Sequence, residues 1–431
     1  MIHFLIGTAL LLAPAEEPKA DDALARQVSL LVRQLDARQL TERDEAERKL
    51  LALGQGLLPL LPAIGEGTSA EVILRVTRLR HQLLRAQAIA AARPSVVTLR
   101  GDDLLLADVL AEISRQTGNP ISDDRAAFGQ QQKAVRVGAE FDKTPFWQAL
   151  DNVLDQAGLT LYGFAGQRGA FVINRPSGAG KRAAKASYAG MFRLDPLRFD
   201  ARRDLRNEKL GVLRFVMEVS WEPRLQPFAI LQPLADVSAV GSSGESILPV
   251  NRQAEPETLI REGFSTTELE IPFALPERGT EKIGVLKGKL LALVPGPLAE
   301  FRFGELPLGA LNARPKAVEQ RQGATIVTLD RVRKNNDVWE ASVRVRIEAP
   351  TTALESHRRW ILENQAFFED AEGNRVEAGG LEQTLHSKDE IGVKYLFDLP
   401  DGPGDLSFVY RTPLVILELP VEYEFRDLRL P

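Results

Sequence analysis

Apolar and polar residues follow three different periods along this chain of 431 residues. Over residues 21–92 the period is helical. Leu24, Val28, Leu31 and Leu35 step by four, three and four, and Ala46, Leu50, Leu53 and Leu57 do the same behind a Thr41-x-x-Asp44 cap. Gly54 and Pro59 break the second helix, and residues 72–90 restore a long one through Leu74, Leu79 and Leu83. Over residues 95–173 short alternating runs flank two helical ones. From Tyr188 onward alternation with period two dominates, as in Leu213, Phe215, Met217, Val219 and Trp221, or Val343, Val345 and Ile347.

The middle stretch contains an internal echo. Leu110, Ile113 and a closing Gln116-Thr117-Gly118 are matched by Leu150, Val153 and Gln156-Ala157-Gly158. Each copy predicts one amphipathic helix ended by a glycine in the left-handed region. Strand-like segments rich in β-branched and aromatic residues surround them at 96–99, 135–141, 159–164 and 170–173. The expected unit is β-α-β, twice.

With Val96-Val97-Thr98-Leu99 as opening strand, 104–118 and 144–158 as helices, 135–141 as middle strand and 159–173 as closing hairpin, this region resembles the short N-terminal domain of secretins and TonB-dependent receptors. The related secretin N-domains are similar. The resemblance implies a small β-α-β fold of the cell envelope that packs on other protein domains or presents a sheet edge or helix face to a partner. Residues 36–61 also look like a single helix pair of the HEAT type, whose open face needs a neighbour.

The alternating segments of the C-terminal half are separated by Pro- and Gly-rich stretches, which predicts half-buried antiparallel strands in two β-sandwiches. A second echo, between residues 300–307 and 424–431, reads as the closing segment of each sandwich. A polar helical insert is expected over residues 351–367, with Trp360 at its centre. The fold class is thus multidomain α+β: a helical domain over 20–92, a β-α-β domain over 94–175, an exposed linker over 176–187, and sandwiches over 188–312 and 320–431.

At the start, an apolar run over residues 4–12 is too short to span a bilayer, and Ala13-Pro14-Ala15 supplies a small-x-small cleavage site. Residues 1–15 therefore read as a signal peptide cut after Ala15, with a periplasmic or secreted mature chain and no membrane span. The chain has no cysteine, which excludes disulfides, thiolate nucleophiles and Cys-ligated metals. A net charge of -5 and 6% aromatic content argue against nucleic acid as an obligatory partner.

Candidate chemistry is sparse. Gly178-x-Gly180-Lys181 fails as a phosphate loop, because Arg175 and Arg182 occupy the positions of the first glycine and of the Ser or Thr. The histidines have no metal-ligand spacing, and 369–374 reads as a hairpin turn rather than a calcium loop. No catalytic, cofactor or metal residue is assigned. Arg175, Lys181, Arg182 and Lys185 form a basic cluster suited to an anionic envelope surface, and Trp147 and Trp360 are candidate contact residues. The expected role is that of an exported, non-enzymatic scaffold binding envelope proteins. The alternatives are a carbohydrate-binding protein using Trp221, Trp339 and Trp360 as platforms, and an envelope hydrolase with a carboxylate pair.

Overall fold

A computed structural model describes residues 20–62, 67–163, 166–203, 205–207, 211–261, 263–277, 279–309, 315–347, 361–362, 364–387 and 390–431. The expected signal peptide, most of the expected helical insert and Trp360 lie outside these residues. Contacts divide the chain into two compact units, Met1–Leu84 and Arg85–Pro431.

The first unit holds α1 (Ala20–Gln34), α2 (Leu40–Ala52), a 3-10 turn (Gln55–Leu60) and the first part of α3 (Ala70–Ala91). Val28, Leu35, Leu50, Leu57, Val76 and Leu79 form its core, as the helical spacing of α1 and α2 requires. Gly54, at φ 76°, ends α2 in a conformation that costs other residues strain. Two expectations are corrected. The N-cap of α2 is Gln39 rather than Thr41, and it makes no side-chain cap bond. Leu74 is exposed, because the buried stripe of α3 runs through Val76, Leu79 and Leu83 and Leu74 falls on the opposite side. Buried Arg75 binds Glu47 at 2.5 Å, Glu71 at 2.6 Å and Asp44 at 2.9 Å.

The second unit opens with the duplicated motif. β1 (Val96–Leu105), α4 (Leu106–Thr117) and β2 (Ile121–Asp123) are followed by β3 (Arg136–Pro145), α5 (Phe146–Ala157), β4 (Leu159–Tyr162) and β5 (Ala170–Asn174). β1 pairs antiparallel with β3, while β5 lies between a parallel β2 and an antiparallel β4. β2, too short to register as a strand in the sequence, completes the first β-α-β. The two copies agree in detail at an offset of forty residues. Gln116 closes an amide pair on the Thr98 N–H and C=O, each at 2.9 Å, and Gln156 does the same with Gly138 at 2.9 Å. Gly118 and Gly158 both end their helices in the left-handed region, and Asp103 and Lys143 both take positive φ. The repeated glutamine therefore ties each helix end to its own preceding strand.

The remaining strands are β6 (Ser187–Ala189), β7 (Phe192–Arg202), β8 (Val212–Trp221), β9 (Ala229–Leu231), β10 (Ser238–Gly241), β11 (Ser246–Ile247), β12 (Glu257–Leu259), β13 (Thr266–Ala274), β14 (Lys282–Pro295), β15 (Leu298–Phe303), β16 (Val318–Gln322), β17 (Thr325–Asn335), β18 (Val338–Ile347), β19 (Ala366–Glu369), β20 (Arg375–Glu377), β21 (Gly380–His386), β22 (Glu390–Phe397), β23 (Ser407–Pro413) and β24 (Ile416–Arg429). They form antiparallel sheets in the orders β13-β8-β7-β6, β11-β10-β14-β9-β12 with β24 on the other side of β14, β15-β23-β19-β20, and β16-β17-β18-β22-β21. The first two enclose a core around Phe215, Trp221, Phe273, Leu286 and Phe425. The last two enclose another around Phe301, Val343, Phe368, Val393 and Phe408.

The two sheet pairs do not occupy successive stretches of chain. β15 pairs with β23 in the second pair, and β24 returns to pair with β14 in the first. The segments that echo each other in the sequence thus each close the sheet pair that the boundary at 312–320 would deny them. As a result the β14–β24 ladder runs straight into the β15–β23 ladder. Lys282↔Arg429, Pro295↔Ile416, Leu298↔Pro413 and Phe303↔Phe408 share one register. At the crossing, Gly296 N–H donates to Val415 at 2.7 Å and Leu414 N–H to Pro297 at 3.1 Å. One two-stranded ribbon is common to both cores.

The expected insert also ends earlier than its spacing suggests, because Ala366–Glu369 is strand β19 with all four residues buried. Residues 369–374 form a hairpin turn: Glu369 pairs with Arg375, and Asp370 Oδ1 accepts the Asn374 amide at 2.8 Å.

Candidate functional site

The most concentrated polar chemistry of the second unit lies along α5. Positions 147, 151 and 155, four apart, make one stripe of that helix. Trp147 Nε1–H donates to the Met191 carbonyl at 3.0 Å, just before β7. Asp151 Oδ1 accepts Arg182 Nε at 2.7 Å, while its Oδ2 accepts Arg193 Nε at 2.6 Å and Tyr188 Oη–H at 2.7 Å. Asp155 binds Arg175 and accepts the amides of Arg182 at 2.7 Å and Ala183 at 3.0 Å. Residues 175–193 are thus strapped along the helix, and α5 buries this stripe as well as the face toward its own core.

Both Asp151 and Arg193 are fully shielded from solvent. Burial pushes the Asp151 carboxyl up, but the Arg182 and Arg193 guanidiniums outweigh it and hold the group below the usual carboxylate range. Burial raises Tyr188, and the Asp151 charge adds to it. Glu218, on the neighbouring β8, behaves oppositely. Burial drives it up, Arg182 and Arg193 pull it back only in part, and Asp195 pushes it further. Asp195 and Glu268 stand directly opposite it on β7 and β13, so three carboxylates form a row across the sheet. Gly163, just after β4, lies against Thr266 and the Glu218 end of this row.

A second buried cluster forms around Glu222, after β8. Its carboxylate accepts Ser95 N–H at 2.9 Å, Ser95 Oγ–H at 2.6 Å and Asn119 Nδ2–H at 3.1 Å, and pairs with Arg224 Nε at 2.6 Å. Arg224 also donates to the Ala91 carbonyl at 2.6 Å and to that of Arg93, capping the end of α3.

These arrangements fasten backbone segments of the second unit to one another. The oxygens of Asp151 are taken by three donors, and two surface cavities, of about 250 and 280 Å³, include neither Asp151, Glu218 nor Glu222 in their walls. Among the described residues no group of three or more His, Asp or Glu is placed to hold a metal ion, and no helix is long and apolar enough to cross a membrane.

The expected contact residues separate accordingly. Trp147 is 3% exposed and its ring is spent within the unit. Arg175 and Arg182 are bound by Asp155 and Asp151 rather than free for an anionic surface, and only Lys181 and Lys185 of that cluster are exposed. Residues 176–187 are largely exposed, as expected of a linker, but Arg182 and Ala183 are held on α5 by Asp151 and Asp155. Trp221 is fully buried in the first core and Trp339 is half-buried against Gly402, which leaves neither as an open stacking platform. The spacing of Trp147, Asp151 and Asp155 was the available sequence signal for the strap, but their partners lie on segments whose approach no local pattern encodes.

Compared with models of known protein families, the chain matches none. Compared with curated proteins, it likewise matches none. Among solved structures it aligns with pT26-6p at 6% identity and a TM-score of 0.14, over 56% of this chain and 64% of that one. That likeness is too low to carry an argument about fold or role.

Proposed function

We propose that the chain is an exported, non-enzymatic scaffold of a bacterial envelope that holds protein partners at a fixed spacing. Its layout is a helical hairpin, a β-α-β domain similar to the short domain of secretins, and two β-sandwiches sharing strands. The observation that carries this reading is the ribbon of residues 282–303 and 407–429, which continues in one register through both cores. A ladder without a break resists hinge motion, because bending would open main-chain hydrogen bonds at the crossing. The polar clusters support the same reading, as they join segments within the unit instead of converging on a cleft. Export is supported by the leader-like residues 1–15.

The test uses the full chain, since deleting residues 95–175 would strip Met191, Arg193 and Glu222 of their partners. Because the chain has no cysteine, Lys287→Cys and Glu382→Cys place two spin labels on the two sheet pairs without background. Pulsed electron-spin distance measurement should give one narrow distribution. The immobilised chain should also retain an envelope protein saturably from extract. A broad or double distance distribution defeats the rigid spacer. Turnover of peptidoglycan or peptide by the purified chain would replace the scaffold with the hydrolase.

A further inference from the structure

The ribbon leaves one strand edge unpaired. β24 is paired with β14 along its length, and among the described residues no strand pairs with its other side. β6 and the start of β7 approach part of it, where Glu424 N–H donates to Ser187 Oγ at 3.2 Å and residues 189–192 lie beside Leu419, Pro420 and Glu422. Pro420 lies an even number of residues before Glu424, so its missing amide falls on the same outer side, where a proline is tolerated. Facing this edge, β7 pairs with β6 only through Phe192–Leu194. From Asp195 to Arg202 it has β8 on one side and no strand on the other among the described residues.

Between the two open edges lies the cavity of about 250 Å³. Its floor is apolar, with Phe199 and Phe215 in contact at 5.1 Å between ring centres and Leu428 beside them. Its walls carry three cationic side chains, Lys185, Arg198 and Arg429, and no Asp or Glu side chain, with Leu430 and Pro431 beside them. Arg198 is shared with Asp200 at 3.4 Å and Glu268 at 3.3 Å, whereas Lys185 and Arg429 make no ion pair among the described residues. Leu197, the extra residue of a bulge in β7, projects into the same opening.

We propose that this seam between β7 and β24 takes an extended acidic segment of a partner protein, which lodges an apolar side chain on Phe199 and Phe215 and sets its carboxylates against Lys185 and Arg429. This rests on the scaffold reading and names its docking surface. An extended chain satisfies main-chain groups on open strand edges, and its two-residue alternation puts apolar residues inward and charges at the rim. A lipid anion would match the cations and the floor but would leave the strand edges unused.

The experiment measures binding of a fluorescein-labelled alternating Glu-Val octapeptide to the full chain by anisotropy. Saturable binding is expected, weakened about tenfold or more for a Lys-Val octapeptide and for the double variant Lys185→Glu, Arg429→Glu. Both side chains are exposed, and an unchanged melting curve will establish that the variant folds. N-methylation of alternate peptide residues should also abolish binding. Equal affinity for the two peptides, indifference to the double variant, or no saturable binding would overturn the seam. Displacement by dodecanoate, with N-methylation harmless, would overturn it in favour of a lipid. If the peptide fails while the spin-label distance stays narrow and an envelope partner is still retained, the scaffold stands and its docking surface lies elsewhere.

Discussion

Gly296 donates its amide to the Val415 carbonyl at 2.7 Å at the point where the chain passes from one sheet pair to the other, and the return strand crosses beside it. This contact sets the geometry of the second unit, since the strands on either side of it belong to different cores.

Gly296 has little room for a side chain. A Cβ there would stand 2.9 Å from the Val415 carbonyl oxygen and 3.2 Å from Ala88 Cβ. Gly296→Val should destabilise the second unit by about 1–3 kcal/mol in urea titration, by overpacking a close backbone approach. It should also broaden the distance distribution between labels on the two sheet pairs. Wild-type stability in the variant would mean that the crossing has slack.

Asp151→Asn takes from Arg182 and Arg193 the buried carboxylate they share, leaving Arg193 only the longer contact with Asp195 at 3.4 Å. The expected loss is about 3–5 kcal/mol, because removing one partner exposes the full desolvation cost of the other. The triple variant Asp151→Leu, Arg182→Met, Arg193→Met should recover much of this loss, since it removes the carboxylate together with both of its arginines. Chemical denaturation of the three proteins at pH 7 decides it.

Glu218 and Asp151 make stability depend on pH in opposite senses. Glu218 is raised in the folded chain by burial and by Asp195, against the pull of Arg182 and Arg193. Its contribution is therefore present below its unfolded pKa and lost as pH rises through the folded value. Asp151 is lowered by the two arginines against its burial, so its contribution is present above its unfolded pKa and lost as pH falls through the folded value. Glu218→Gln should stabilise the chain more at pH 8 than at pH 4.5, flattening the alkaline side of the stability profile. An equal shift at both pH values would show that the carboxyl does not titrate with folding.

Gly163 packs on Thr266 so closely that a Cβ would run into its Cγ2 methyl. Gly163→Ala should cost about 1–3 kcal/mol through this overlap. Thr266→Ser removes the methyl and should restore most of the loss in the double variant. Thermal melts of the single and double variants measure the coupling, and additive losses would mean that the hairpin is not pressed against β13.

The sequence by itself determined most of the segments that become helix and strand and most of the residues that turn inward, though not β2, β19 or the outward turn of Leu74. The steps of three and four in α1, the duplicated amphipathic helices with their Gln-x-Gly ends, and the alternation of Leu213, Phe215, Met217 and Val219 are local facts. Backbone geometry alone converts them into buried faces. Only the tertiary structure decided what covers those faces. Period two fixes that Phe425 and Phe301 point into a core, but not which core, because the ladder partners of their strands lie more than a hundred residues away in sequence. For the same reason Arg182 reads as a free surface cation until α5 brings Asp151 to it. Charge and exposure are properties of the neighbourhood a residue folds into, and the neighbours of Arg182 are set by packing between segments that carry no mark of one another.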